Sequence, residues 1–288
     1  MEPYQHTSNF DRAEWLGWIA RPDRGCLRFF GTDALAFLQA LVTNDVASLE
    51  VGASLDALYL TPQGRMITDM RVCRRDDDVL MSVPAELAAG LATRFDLLIF
   101  SEDVQVSDAS PLIHEITLVG RSMAQTKDLF VEAERDAAVR STLIADGVPE
   151  LSAVDSEAMR IDAGRARWGV DMNEETIPLE AGLLERAISQ TKGCYVGQEV
   201  IVRVLHRGGG RVAKRLMKIG FSEGPSEPPV AGTPITIGGA AVGTITSAAY
   251  SRRLKRIVAL GYVHRDHANE GAAVMVGAAA AVIEGPCS

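Results

Sequence analysis

The chain has 288 residues, 47% of them hydrophobic, which is enough to build two or more domains with real cores. Its net charge of −9 at pH 7 argues against broad binding to DNA or RNA, where clustered positive charge supplies most of the affinity, so no direct nucleic-acid partner is expected. No stretch approaches the roughly 20 apolar residues that cross a bilayer, so no membrane association is expected either.

Short strand-like and helical runs alternate from the start. Leu27–Phe30 reads as a strand, and Gly31-Thr32-Asp33 offers an N-cap for a helix with Leu35, Leu38 and Val42 on its apolar face. Asp56–Leu60 and Met66–Cys73 read as strands around a turn at Pro62-Gln63-Gly64. Val79–Val83 is a further strand, after which Pro84 opens a helix carrying Leu87, Leu91, Phe95 and Leu98 at helical spacing. These stripes read as core. Leu112–Val119 and an Ala-rich segment near 127–140 repeat the strand–helix rhythm, which suggests two similar α+β halves, roughly 1–110 and 111–210.

After residue 208 the chain changes character. Gly208-Gly209-Gly210 precedes a strand at Ala213–Ile219, and Ile235–Ile237, Gly238-Gly239 and Ala241–Thr246 form a hairpin signal. Ile257–Val263 and Ala272–Ile283 add two strands. The expected architecture is α+β over residues 1–210 followed by a small β-barrel over 211–288.

The four cysteines, Cys26, Cys73, Cys194 and Cys287, are far apart and show no Cys-x-x-Cys or Cys/His spacing, so no stable metal site is expected. Met1–His6 lacks the basic start and apolar run of a signal peptide, and the expectation is a cytoplasmic protein with reduced thiols. No Gly-x-Gly-x-x-Gly fingerprint points to a flavin or nicotinamide.

The most informative segment is Lys192-Gly193-Cys194-Tyr195-Val196-Gly197-Gln198-Glu199. Glycines on either side let the backbone turn tightly, and a neighbouring ammonium favours the thiolate that attacks electrophiles or binds metal. The plainer reading is a buried cysteine in a turn before a strand Val200-Ile201-Val202, because free cysteines commonly pack as small hydrophobes.

This octapeptide resembles the signature of the YgfZ and Iba57 proteins, folate-binding relatives of the glycine cleavage system T-protein that assist iron–sulfur enzymes. Leu38–Asp45, Tyr59–Arg65, Met159–Gly164 and Ile177–Leu183 resemble further motifs of that family in the same order, so the likeness spans roughly residues 25–265. It implies folate-binding α+β domains followed by a barrel, tetrahydrofolate or a derivative as cofactor, and iron–sulfur client or assembly proteins, tRNA-modifying enzymes included, as partners.

Residue by residue, the resemblance implies that Cys194 is a functional thiol, able to serve as a transient iron or cluster ligand or to handle a covalent adduct. One thiol holds no four-ligand cluster alone. Asp162 and Glu180 would hold the pterin, whose ring N–H and exocyclic amine can both donate to one carboxylate. T-proteins carry Glu where this chain has Asp162, which otherwise would pair with Arg160 or Arg165. Asn44, Arg160, Lys192 and Gln198 complete the implied cofactor site. Asp69 lies at or beside the T-protein carboxylate that orients the reacting folate nitrogen, but Thr68-Asp69 stands where those enzymes have two acids. Its other reading is an outward-facing strand residue.

Arg203, His206, Arg207, Arg211, Lys214, Arg215 and Lys218 form a basic island with no acid before Glu223. It reads either as a solvated face or as a landing site for a polyanion such as a folate polyglutamate tail or an acidic partner. The alternatives to an accessory protein are a folate-dependent aminomethyl- or methyltransferase using Asp69, and a demethylase-type domain without its oxidase partner.

Overall fold

A computed structural model describes residues 14–120, 125–206, 210–221 and 225–287. Arg207, Gly208 and Gly209 of the basic island, Glu223 and Met1–His6 lie outside the described residues. The chain falls into two compact units, the first running to Ala57 and resuming over Asp69–Ser152, the second comprising Leu58–Thr68 and Ala153–Ser288.

In chain order the elements begin with β1 (Trp15–Ala20), β2 (Arg24–Phe30), α1 (Ala34–Leu41), β3 (Ser54–Leu60), β4 (Met66–Arg74) and β5 (Val79–Pro84). A single 3-10 turn then leads into α2 (Ala88–Asp96), followed by β6 (Gln105–Asp108), β7 (Ile113–Gly120), β8 (Thr126–Glu132) and α3 (Asp136–Ala145). A five-stranded sheet has the order β3-β4-β5-β2-β6, and a three-stranded sheet the order β1-β7-β8. Of the expected stripes, Leu38 of α1 and Leu91 and Phe95 of α2 are buried while Leu35, Leu87 and Leu98 are half-buried; Phe37 also turns inward from α1, and Phe29 packs edge-on to Phe95 with ring centroids 5.5 Å apart.

Two local expectations give way here. The segment near 127–140 is not one helix, because Thr126–Glu132 pairs antiparallel with β7 and α3 starts only at Asp136. Pairing along the almost wholly buried β7 outweighs the helix propensity of the alanines that follow. A boundary near residue 110 is also crossed by hydrogen bonding, since β1 pairs with β7 from Trp15↔Gly120 to Ala20↔Ile116.

The second unit continues with α4 (Ala153–Asp162), a short α5 (Leu184–Ala187) and α6 (Gln198–His206), then the strands β9 (Lys214–Phe221), β10 (Pro234–Ile237), β11 (Ala240–Ser251), β12 (Arg256–His264), β13 (Ala273–Val276) and β14 (Ala279–Pro286). The last six close a barrel in the order β10-β11-β12-β9-β14-β13. Ala272–Ile283 is therefore a hairpin and not a single strand: it reverses at Gly277, and Val276 faces Ala279.

Alternation along β12 assigns its two faces. Ile257, Ala259 and Val263 fill the barrel interior, while Val258, Leu260 and Tyr262 point outward under Ala158 and Ile161 of α4. That outer cover explains why residues 153–206 belong with the barrel in one unit, where the sequence placed them with residues 1–152. Among the described residues no helix is long and apolar enough to cross a membrane.

Candidate functional site

The Thr61–Arg65 turn is the point from which the site in the second unit is built. Thr61 carbonyl accepts from Gly64 N–H at 2.8 Å, and Thr61 N–H donates to the Arg65 carbonyl at 2.8 Å, closing the hairpin between β3 and β4. Leu58, Leu60 and Met66 on its arms pack with Tyr195, Ile201, Leu183 and Met172 in one buried cluster. The Cys194 loop thus lies on this hairpin. A Cβ on Gly197, whose φ is +82°, would stand 2.5 Å from the Thr61 carbonyl oxygen; a Cβ on Gly64, with φ +73°, would stand 2.8 Å from the Val200 Cβ. Both positions demand glycine. Gly193 does not, since a Cβ there meets nothing within 4 Å.

Cys194 is exposed, and the other three cysteines are buried. Burial pushes the Cys26 and Cys287 thiols up to about 12 and also raises that of Cys73. Tyr195, next to the exposed sulfur, turns inward; burial lifts its phenol to about 12, and the Lys192 ammonium stands 5.5 Å from its ring centroid. The strand expected at Val200–Val202 is instead part of α6. Ile201, 1% exposed, and Leu205 one turn later anchor its apolar side, so tertiary packing overrides the β preference of three branched residues. Gln198 opens this helix and Glu199 is exposed in its first turn.

Glu180 is the notable carboxylate. It is 7% exposed, its backbone carbonyl accepts from Leu216 N–H of β9 at 2.8 Å, and among the described residues no side chain hydrogen-bonds its carboxylate. Burial raises its carboxyl, while the Lys214 ammonium, the Ile177 N–H and the Arg65 guanidinium pull the other way. Lys214 also sits 4.4 Å from the ring centroid of Tyr262. The Tyr262 hydroxyl is buried beside Thr176 without a well-formed hydrogen bond, and burial raises it further, with Glu180 adding to the effect. A half-committed carboxylate and an orphaned buried hydroxyl in one place suit a ligand edge that brings donors and an acceptor.

The structure separates Asp162 from Glu180. Asp162 ends α4 and pairs with Arg253 at 3.4 Å and Arg256 at 3.7 Å, not with Arg160 or Arg165. Arg256 begins β12 and Tyr262 lies six residues on, roughly 20 Å along an extended strand, so the two acids serve opposite ends of it. Arg160 is committed internally: it donates to Asp171 at 2.7 Å, to Glu157 at 2.8 and 2.9 Å and to Ser247 at 2.8 Å, and also to the Arg165 carbonyl. Asp171, whose side chain is fully buried, further accepts from Thr246 and Ser247. This network ties α4 to β11.

Asn44 and Asp69 belong to the first unit. Asn44 donates to the Asp56 carbonyl at 2.7 Å and accepts from Asp45 N–H at 3.0 Å, which braces a loop. On β4 the buried face carries Met66, Thr68 and Met70, so Asp69 shares the other face with Arg71. It is not an open strand residue: Arg24, itself 9% exposed in its side chain, donates to both its oxygens at 3.3 and 3.2 Å. Arg24 also donates to Ser82, whose hydroxyl bonds Glu115 of β7. Burial is the main reason the Glu115 carboxyl is raised, with Asp128 adding to it.

The sequence did not mark Arg65, Thr176, Lys214 or Tyr262 as neighbours of Glu180. Arg65 lay within a quoted motif, but only the barrel's closure brings Tyr262 to Glu180.

Residues 214–285 match the domain family described as the glycine cleavage T-protein C-terminal barrel domain. The chain is 27% identical over 293 residues to an Arabidopsis thaliana protein named "Putative transferase, chloroplastic", covering 88% of this chain and 66% of that one. It is 33% identical over 146 residues to an aminomethyltransferase of Thermosynechococcus vestitus, covering 50% and 38%. It is 26% identical over 236 residues to a mitochondrial iron–sulfur cluster assembly factor IBA57 homolog of Mycosarcoma maydis, covering 72% and 58%. The chain therefore spans less than two thirds of the length of each of these relatives. Its fold is that of the glycine cleavage system aminomethyltransferase T of Bartonella henselae, with a TM-score of 0.79 at 17% identity over 96% of this chain and 89% of that one.

Proposed function

We propose that this chain, a member of the glycine cleavage T-protein-like family, binds a reduced folate beside the Thr61–Arg65 turn and supports iron–sulfur enzymes through Cys194. The observation that carries the reading is that one turn supports both parts: Gly64 seats the exposed Cys194 loop, and Arg65 bears on the partner-poor Glu180. Glu180 would accept the ring N–H and exocyclic amine of a pterin, and the Tyr262 hydroxyl would bond the same edge. The folate supplies one-carbon chemistry when bound. Cys194 stays reachable for iron, a cluster or an adduct, and further ligands come from a partner. In this reading Asp162 and Arg160 brace the second unit and do not touch the cofactor.

The clients we envisage are cytoplasmic iron–sulfur enzymes, including those that modify tRNA, while the IBA57 homolog and the Arabidopsis relative carry organellar names. The test is complementation of a cell lacking the protein. Cys194→Ser and Glu180→Gln should each abolish support of iron–sulfur activities, the first with folate binding intact and the second with it lost. Full complementation by Cys194→Ser overturns the thiol's role.

A second reading, folate-dependent aminomethyl transfer, draws on Asp69 held by Arg24 and on the aminomethyltransferase names of several relatives. Turnover of an aminomethyl donor that Asp69→Asn abolishes and Cys194→Ser spares would establish it instead.

A further inference from the structure

We infer that the loop between α2 and β6, in the first unit, is a docking point for a partner protein that presents a basic amphipathic helix. Leu97 is 73% and Phe100 87% exposed, and both stand on this one short loop. Leu98 and Ile99 between them are half-buried and root the segment. Apolar side chains scattered singly over a surface are ordinary, whereas two of this size on one loop give a partner an anchor.

The loop is fixed in place, as an anchor must be. The Glu102 carboxylate accepts the N–H of Phe100 and that of Ser101, each at 2.9 Å, and so sets the backbone from which Phe100 projects. Asp103 ties the loop to the start of α1. Its carboxylate accepts from the Thr32 N–H at 3.0 Å and the Thr32 hydroxyl at 2.9 Å, and its own N–H donates to the Asp33 carboxylate at 2.9 Å. Asp33 N–H in turn donates to the Asp103 carbonyl at 3.2 Å. Gly31, with φ +117°, permits this contact, since a Cβ there would collide with that carbonyl oxygen. A loop held this way has little conformational freedom left to lose on binding.

Charge names the partner's chemistry. From Phe95 to Gly120 the chain carries no lysine or arginine, while Asp96, Glu102, Asp103 and Asp108 are exposed acids on the loop, its root and β6. Glu102 and Asp103 are charged at neutral pH, because the N–H groups of Phe100 and of Thr32 hold their carboxyls below the usual carboxylate range. A two-fold contact between copies of this chain would set these acids against themselves. A helix with lysines or arginines beside an apolar stripe answers both the acids and the two apolar side chains. The inference is independent of the folate reading, because Glu180, Tyr262 and Cys194 all belong to the second unit.

The test follows fluorescence anisotropy as the full chain is titrated into a labelled peptide of about 18 residues, leucine and lysine at helical spacing. The same peptide with glutamate for lysine is the comparison. The wild type should bind the lysine peptide about tenfold more tightly than the glutamate one, and the affinity should fall as salt shortens the Debye length. Leu97→Ser with Phe100→Ser should weaken binding about tenfold and leave the melting temperature unchanged, since both side chains face solvent. Asp96→Lys should weaken it as well. Val230→Ser, which removes a 76% exposed side chain from the second unit, should leave it as it was. No binding of the lysine peptide, equal affinity for the two peptides, or undiminished binding by the double variant overturns the docking point. A lowered melting temperature in that variant does so too, because it would show the two side chains to be packed. Dimers in sedimentation velocity that the double variant abolishes would assign the loop to a second copy of this chain and overturn the basic partner.

Discussion

At the scale of the residue, position and solvent decide which cysteine can act. Cys194 is exposed on a loop, whereas Cys26, Cys73 and Cys287 are 3%, 9% and 5% exposed with thiols raised by burial. Iodoacetamide at neutral pH should therefore modify Cys194 at least tenfold faster than the other three, read by peptide mass mapping. Equal rates would show the loop to be closed in solution. The sequence pointed to this thiol because glycines and a lysine flank it. It did not reveal that, of the two glycines flanking Cys194, only Gly197 is required by geometry, since the Thr61 carbonyl that crowds it is 136 residues away. Gly197→Ala combines a positive φ with a 2.5 Å approach and should cost about 1–3 kcal/mol in denaturant unfolding. The acids were less legible. Asp162 and Glu180 both sit in matched motifs, but one is held by arginines at the start of β12 and the other is left short of partners near its end.

At the scale of the element, α6 and the polar layer of the first unit show how packing overrules local preference. Val200-Ile201-Val202 has strand composition, and the helix forms because it lets Ile201 and Leu205 reach Leu58, Leu60 and Tyr195. Ile201→Ala should cost about 2–5 kcal/mol in unfolding free energy and loosen the Cys194 loop; a loss below that range would mean α6 is not anchored by this side chain. In the first unit, Arg24, Ser82 and Glu115 form a buried polar connection from β2 and β5 to β7. Burial, aided by Asp128, raises the Glu115 carboxyl above its ordinary 4.5, so the folded state holds this proton more tightly than the unfolded one. Its stabilising contribution is complete below pH 4.5 and declines as pH rises from there through the folded value. Glu115→Gln should remove that decline: the stability of the variant relative to the parent should increase with pH over this window in parallel urea titrations. A difference that stays flat with pH would place Glu115 in its ionised form throughout.

At the scale of the whole molecule, the α+β character, the barrel and most strands were readable because period-two alternation and turn residues are local signals. The partition into units was not readable, because it depends on α4 covering the outer face of β11 and β12, a contact made far along the chain. A fragment beginning at residue 211 would uncover Val258, Leu260 and Tyr262. It should aggregate or melt well below the full chain, and an equally stable isolated barrel would show the cover to be dispensable.

A reduced folate held at Glu180, with Cys194 left free, is the proposal on which the rest depends, and calorimetric titration with tetrahydrofolate reads it out. The expected result is saturable binding to the wild type, unchanged binding to Cys194→Ser and Asp162→Asn, and a loss of about 1.5–3 kcal/mol for Glu180→Gln, the range for hydrogen bonds to a charged group. Binding that Glu180→Gln leaves untouched and Asp162→Asn abolishes would put the cofactor at the other end of β12 and contradict it.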